Sequence, residues 1–169
     1  MLLALGLDSG ALQAQTFQLL FETFNAGPSA FSLNTADLGG TTGPNTWVIN
    51  NEYLGDGVYP RTPSQDSTFF GTINGAPLSR YLHIRDSGFP AAPNANYDPT
   101  APSDAFAAMN GSYCTLGLTD VTFSFFYTCD GNVNDYGQVY YSADGGPWTP
   151  VGMSKYNNKE QWQFESITD

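Results

Sequence analysis

The chain has 169 residues, with 18 glycines, 11 prolines, 15% aromatic residues and a formal net charge of −11 at pH 7. This length suits one domain with a sizeable core, and 12% of charged residues are too few for the ion-pair ladders of solvent-facing helices. The strong acidity disfavours nucleic acid and anionic membrane surfaces as partners, because phosphate groups would be repelled.

The first residues of the chain predict export. The stretch MLLALGLDSGALQAQTF is apolar and ends in small residues, and a signal peptidase could cleave between Ala14 and Gln15. Residues 1–14 are therefore predicted to be a truncated signal peptide, since a basic n-region is missing and Asp8 interrupts the apolar run. A buried first strand is the alternative. Residues 15–169 are predicted to be a single secreted or cell-surface domain without a membrane span.

Short strands joined by turns rich in glycine and proline are expected along the chain. The segments 25–46 and 88–103 are predicted to be loops, the first with brief extended pieces, and Ala105–Met109 is predicted to form one helical turn. Apolar and alternating patterns predict strands at Thr16–Phe24, Thr46–Ile49, Arg80–Ile84, Ser112–Leu118, Val121–Thr128, Gln138–Ser142, Trp148–Gly152 and from Gln161 onward.

This series of strands indicates an all-β fold, an antiparallel β-sandwich. In the strand Val121–Thr128, the side chains of Phe123, Phe125 and Tyr127 share one face while Phe126 lies on the other. Both faces of that strand are therefore expected to be covered, as they are inside a sandwich.

Turn residues predict two hairpins in the second half of the chain. Leu118-Thr119-Asp120 would join the two strands on either side of it, and Asp144-Gly145-Gly146 would join the next two. Cys114 and Cys129 would lie at different heights in the first hairpin, which disfavours a disulfide. An oxidising compartment would permit one, so paired and free cysteines both stay open.

A cluster of polar side chains follows the strand that ends near Cys129. Asp130, Asn132, Asn134 and Asp135 place four oxygen-bearing side chains within six residues of the stretch CDGNVNDYGQVYYSADGG. The first three match the start of an EF-hand, but Asp135 stands where that loop needs glycine. A looser calcium loop remains open, and so does a plain turn, because Asp and Asn favour turns.

The order of motifs along the chain resembles a known family. The segments FETFN, NTWVI, RYLHI and VTFSFFYTCDGNVNDYGQVYYSADGGPWTPVG are similar to bacterial choice-of-anchor J or cleaved-adhesin domains, which are relatives of the MAM domain. The resemblance covers residues 17–165 and is most specific over 121–152. It implies a jelly-roll sandwich from an exported bacterial surface protein, often an ancillary part of a larger adhesin or protease, with calcium supporting the fold.

The same resemblance implies two further expectations. Sandwiches of this kind tie an acid of the first strand to a late loop, so Glu22 is expected to complete a calcium shell with Asp130, Asn132, Asn134 and Asp135. The family pattern also continues past the Trp162 region with more strands. The chain is therefore either a fragment or a jelly roll that lacks its last strands and exposes a sheet edge, which could accept a strand from another chain.

Aromatic side chains in predicted loops are candidates for stacking on sugar rings. These are Tyr53, Tyr59, Phe89 and Tyr97. The alternative is that they cover the ends of the sandwich core.

Enzymatic chemistry finds no support in the sequence. His83 is the single histidine, it falls inside a predicted strand, and no nucleophile elbow accompanies it. The sequence thus predicts an exported, non-catalytic adhesion or binding module that recognises a glycan or a protein and is stabilised by calcium. The alternative prediction is a structural subunit that pairs its sheet edge with copies of itself in a surface assembly.

Overall fold

A computed structural model describes residues 16–40, 43–54, 62–65, 71–88 and 95–168. These ranges contain strands and turns but no α-helix, so the prediction of an all-β fold is confirmed. The strands are β1 (Phe31–Thr35), β2 (Asn45–Asn50), β3 (Tyr81–Asp86), β4 (Phe106–Met109), β5 (Thr122–Cys129), β6 (Gly137–Tyr141), β7 (Thr149–Tyr156) and β8 (Lys159–Thr168). Nowhere in the same ranges does a helix reach the length and apolarity that crossing a bilayer requires.

The strands pair in antiparallel couples: β1 with β4, β2 with β3, β5 with β8, and β6 with β7. Contacts between β1 and β2, and between β7 and β8, bring the couples together. The antiparallel sandwich prediction is confirmed at this level, and the jelly-roll type stays a prediction. The β6–β7 hairpin is confirmed, and its turn has positive φ at Asp144 (51°) and Gly145 (72°), as a type I′ turn requires.

Three predicted elements are wrong. Thr16–Phe24 forms no strand, and Ser112–Leu118 forms turns and irregular backbone. In the latter the amide of Leu118 donates to the carbonyl of Thr115 at 3.0 Å, and Gly117 has a φ of 81°, which interrupts an extended chain. Ala105–Met109 is not helical, because most of it is β4, which pairs with β1.

A side chain of β1 joins the first two couples of strands. The amide oxygen of Asn34 accepts the backbone N–H of Trp47 at 2.7 Å, and its amide nitrogen donates to the carbonyl of Trp47 at 3.0 Å. The indole N–H of Trp47 donates to the carbonyl of Ala105 at 2.7 Å. Asn34 thereby supplies β2 with the donor and acceptor that a neighbouring strand would supply.

An aromatic cluster on β3 forms one part of the core. Tyr81 and His83 are buried while Leu82 and Ile84 are partly exposed, which confirms the predicted alternation of β3. The ring of Tyr81 lies 4.8 Å from that of Tyr53, 4.5 Å from that of His83 and 5.9 Å from that of Trp162 between centroids. Since Trp162 belongs to β8, this cluster connects β3 to the β5–β8 couple.

The two faces of β5 both carry aromatic contacts. On one face the buried Tyr156 of β7 packs against Phe125 at 5.7 Å and Tyr127 at 5.0 Å. On the other face Phe126 contacts Phe164 of β8 at 5.2 Å. β7 therefore covers one face of this middle part of β5, whereas Phe126 and Phe164 are ladder partners within one sheet, so the covering of the other face stays a prediction. Both cysteines are free thiols in the structure.

Candidate functional site

The polar loop, defined here as residues 130–136, connects β5 to β6. Its backbone is tied to the segment that joins β7 and β8. The carbonyl of Gly131 accepts the amide N–H of Asn158 at 2.9 Å, and the carbonyl of Asn132 accepts the side-chain N–H of Asn157 at 2.8 Å. The position of the polar loop is therefore set by residues about 25 positions further along the chain.

Bonds inside the polar loop close it into a tight turn. The side-chain oxygen of Asn132 accepts the amide of Asn134 at 2.8 Å, and its carbonyl accepts the amide of Asp135 at 3.2 Å. A Cβ atom on Gly131 would lie 1.9 Å from the carbonyl oxygen of Asp135. Only glycine fits at that position, because no other residue allows the two backbone segments to come so close.

A lysine ammonium group also contacts the polar loop. Nζ of Lys155 donates to the carbonyl of Val133 at 2.6 Å and lies 4.2 Å from the ring centroid of Tyr136. The exposed cation thus holds a third carbonyl of the loop and one face of its aromatic ring.

Three oxygen-bearing side chains of the polar loop take no part in this bracing. Among the hydrogen bonds and ion pairs of the described residues, none uses the side-chain oxygens of Asp130, Asn134 or Asp135. Asp130 and Asn134 are exposed and Asp135 is partly exposed. The loop therefore presents two carboxylates and one amide on a backbone that is already ordered.

Glu22 is not brought to the polar loop. Its two carboxylate oxygens accept the backbone amides of Phe24 at 2.6 Å and Ala30 at 2.7 Å, so the side chain braces its own turn. The ranges that the structure describes hold no group of three or more His, Cys, Asp or Glu side chains that could bind a metal. Calcium binding by the polar loop stays a prediction, with Asp130, Asn134 and Asp135 as the residues whose oxygens are available.

The four aromatic candidates differ in where they lie. Tyr53 is 7% exposed, its hydroxyl donates to the carbonyl of Ser79 at 2.7 Å, and burial raises its pKa above the ordinary value. Its ring therefore offers little area for stacking on a sugar. Tyr97 is partly exposed. Tyr59 and Phe89 lie outside the described residues.

A shallow, mainly apolar depression lies beside Tyr53. Leu54 and Leu78 on its wall are 64% and 56% exposed. Its lining comprises Asn51, Tyr53, Leu54, Thr62, Pro63, Ser64 and Leu78. Its accessible surface is mainly apolar, so the depression is less suited to a polar ligand than the polar loop.

His83 is placed as a structural residue. Nε2 lies 2.7 Å from the side-chain oxygen of Asn50, which also accepts the amide of Glu52 at 3.0 Å. That oxygen is therefore an acceptor, and His83 donates from Nε2 as a neutral ring. Burial lowers the pKa of His83 to about 4, and the nearby charge of Arg85 acts in the same direction. Among the residues that the structure describes, no serine, threonine or cysteine is a partner of its ring.

Sequence reasoning found the polar loop but missed the residues that brace it. Lys155, Asn157 and Asn158 belong to the stretch KYNNK, which reads as an ordinary polar turn. Their role depends on the approach of β7 and β8 to the end of β5, a long-range contact that no local pattern encodes.

Comparison with known proteins found no relative of this chain. No protein-family model, curated protein or solved structure matches the chain. The resemblance to choice-of-anchor J domains accordingly stays a prediction from the motifs.

Proposed function

We propose that this chain is a non-catalytic binding module, secreted or displayed on a bacterial surface, that holds a glycan or a protein through its polar loop. One observation carries the proposal. Three carbonyls of the polar loop, those of residues 131–133, are engaged in fixing the backbone. The side-chain oxygens of Asp130, Asn134 and Asp135 remain available. A loop ordered before binding loses less conformational entropy when the ligand arrives.

The chemistry of the polar loop suits hydroxyl-rich or amide-rich ligands. The carboxylates of Asp130 and Asp135 accept hydrogen bonds, and the amide of Asn134 both donates and accepts. Tyr136 is 45% exposed beside them and adds an aromatic surface. Charge-assisted hydrogen bonds of this kind are stronger than those between neutral groups.

A non-catalytic role accords with the placement of His83. General-base chemistry needs a histidine within hydrogen-bonding reach of the group that it deprotonates. The ring of His83 is 9% exposed, and its nitrogens contact Asn50 and the carbonyl of Ile84. These contacts hold the ring of His83 in the interior, so ligand recognition falls to residues on the surface.

Binding should depend on the side chains of the polar loop. We expect the triple variant D130A/N134A/D135A to bind its ligand at least about 100-fold more weakly, because the hydrogen bonds to the two carboxylates contribute ~1.5–3 kcal/mol each. The wild type is first screened on arrays of glycans and of surface proteins, and the affinity for each hit is then measured by calorimetry.

The matched control is D37A/D104A, which removes the same negative charge at two exposed sites outside the polar loop. It should bind as the wild type does. Equal weakening by both variants would mean that net charge matters rather than the loop. A folded wild type that binds nothing on either array would contradict the proposal.

Calcium, if bound, should stabilise the fold through the polar loop. Extracellular calcium modules have dissociation constants of about 0.1–1 mM, so ~10 mM Ca²⁺ should add roughly 1.4–2.7 kcal/mol by mass action. We expect a higher melting temperature in Ca²⁺ than in EDTA, with little effect of Mg²⁺. The variant D130A/D135A should lose the difference. Identical melting curves of the wild type in Ca²⁺ and EDTA would remove the metal from the proposal.

A further inference from the structure

An apolar segment near the start of the described chain has no partner strand. Residues 16–22 (TFQLLFE) form no ladder with any other described residue. Phe17, Leu19 and Phe21 are 63%, 40% and 68% exposed. In an extended conformation these alternating side chains lie on one face. A monomeric protein seldom leaves such a contiguous apolar surface to solvent.

The C-terminal end of this segment is held in place. The carboxylate of Glu22 accepts two amides of its own turn. The side chain of Asn25 accepts the amide of Arg80 at 2.9 Å and donates to the carbonyl of Asn74 at 3.1 Å. The segment therefore extends from a fixed point beside the start of β3, with its apolar face uncovered by the described part of its own chain.

A strand edge that matches the segment has no described partner on β5. Within the described ranges β5 pairs with β8 alone, so no described backbone group pairs with the amides and carbonyls on the other edge of β5. β5 has eight residues and no charged side chain. The other strands of comparable length are charged, since β7 contains Lys155 and β8 contains Lys159, Glu160 and Glu165. The exposed Phe123 of β5, at 43%, adds apolar area beside the edge.

We propose that residues 16–22 of one copy add as a strand to this edge of β5 in a second copy, and that the exchange is reciprocal, which gives a two-fold symmetric dimer. The inference goes beyond the proposed binding role and does not rest on it. Copies of a chain with a net charge of −11 repel one another. Contact is therefore favoured between neutral surfaces, and residues 16–21 and the whole of β5 carry no charge.

The area of this exchange is sufficient for a dimer. Phe17, Leu19 and Phe21 from each of two copies would bury roughly 100–200 Å² per side chain. The six side chains sum to about 600–1,200 Å² before the backbone is counted, which approaches the range of specific interfaces. Pairing of the main chains would also satisfy the amide and carbonyl groups that line the edge of β5.

Light scattering coupled to size exclusion tests the proposal on the whole chain. Cys114 is exposed, so the measurement is made in reductant. We expect a concentration-dependent dimer for the wild type and a monomer for F17S/F21S. The matched control is L116S/V133S, which removes two side chains that are 92% and 65% exposed elsewhere, and it should remain dimeric. The backbone variant L19P/L20P should also be monomeric, because proline cannot donate to the ladder.

Hydrogen exchange then identifies the strand edge. Amides of residues 16–22 and of β5 should gain protection together when the concentration rises through the dimer midpoint, and no other region should. Several results would overturn the proposal: a wild type that is monomeric at every concentration, equal behaviour of F17S/F21S and L116S/V133S, or protection that grows elsewhere. None of these measurements depends on the ligand of the polar loop, so the two proposals fail separately.

Discussion

Replacement of Tyr81 by alanine is expected to lower the free energy of unfolding by about 3–5 kcal/mol, the usual cost of deleting a buried aromatic side chain. Tyr81 is 6% exposed and its ring contacts those of Tyr53, His83 and Trp162. Removal would leave a cavity where β3 meets β8. Urea unfolding followed by tryptophan fluorescence measures the change.

The hydroxyl of Tyr81 accounts for a smaller part of this effect. It donates to the carbonyl of Glu52 at 2.5 Å, so the hydroxyl of Thr62, 2.9 Å away, donates to it in turn. Tyr81→Phe should cost about 1–2 kcal/mol, since the hydrogen bonds are lost and the ring is kept. Tyr113→Ala, at a site that is 38% exposed, is the control and should change little. Equal effects at the two tyrosines would contradict the buried cluster.

Acidification should destabilise the protein through His83. Its pKa is about 4 in the folded chain against an ordinary 6.5, because burial disfavours the charged ring. Above the ordinary value both folded and unfolded chains hold a neutral ring, and His83 has no effect on stability. As the pH falls below that value, the unfolded chain binds a proton that the folded chain does not, so folding is progressively disfavoured until the folded ring also protonates near pH 4.

The size of this effect is set by the interval between the two pKa values. Between pH 8 and pH 5 the His83 contribution amounts to about 2 kcal/mol, and pH 5 stays above the isoelectric point of about 4.1. His83→Gln keeps an N–H donor for Asn50 and does not titrate. Wild type should therefore lose ~2 kcal/mol more than H83Q over this range, since the carboxylates contribute equally to both. Parallel pH profiles would show that His83 is accessible to protons in the folded state.

Local patterns predicted the strands whose information lies in their own residues. The alternation of Phe123, Phe125 and Tyr127 indicated β5, and the Asp-Gly pair at 144–145 indicated the β6–β7 hairpin. Segments of ambiguous composition were misjudged. The sequence FAAM of β4 is compatible with a helix or a strand, because two small alanines pack in either. Its partner strand β1 lies some 75 residues earlier in the chain.

Pairing between strands that are far apart in the chain could not be predicted from local sequence patterns. The hairpin predicted between Ser112–Leu118 and the next strand does not form, and β5 pairs instead with β8 at the end of the described chain. That choice depends on which apolar faces meet in three dimensions, for example Phe126 against Phe164. Proximity along the chain favoured the neighbouring segment, but the turn at Gly117 interrupts it.

The candidate site was likewise predicted from the sequence only in part. The oxygen-rich composition of the polar loop is visible in the sequence, whereas the need for glycine at Gly131 was not predicted and follows from the folded turn. The expectation that Glu22 would join the loop came from the family resemblance, whereas the structure uses its carboxylate to brace the turn at Phe24. The bracing by Lys155 and Asn157 is a product of folding, since Lys155 approaches the loop from β7 and Asn157 from the connection between β7 and β8.

Backbone ¹⁵N relaxation of residues 131–135 tests most directly whether the polar loop is ordered before it meets a ligand. With Asn157, Asn158 and Lys155 holding its carbonyls, the amide order parameters of the free protein should be about 0.85, as in the strands. Values below about 0.6 would mean a loop that is mobile in solution, and they would contradict a binding surface formed in advance.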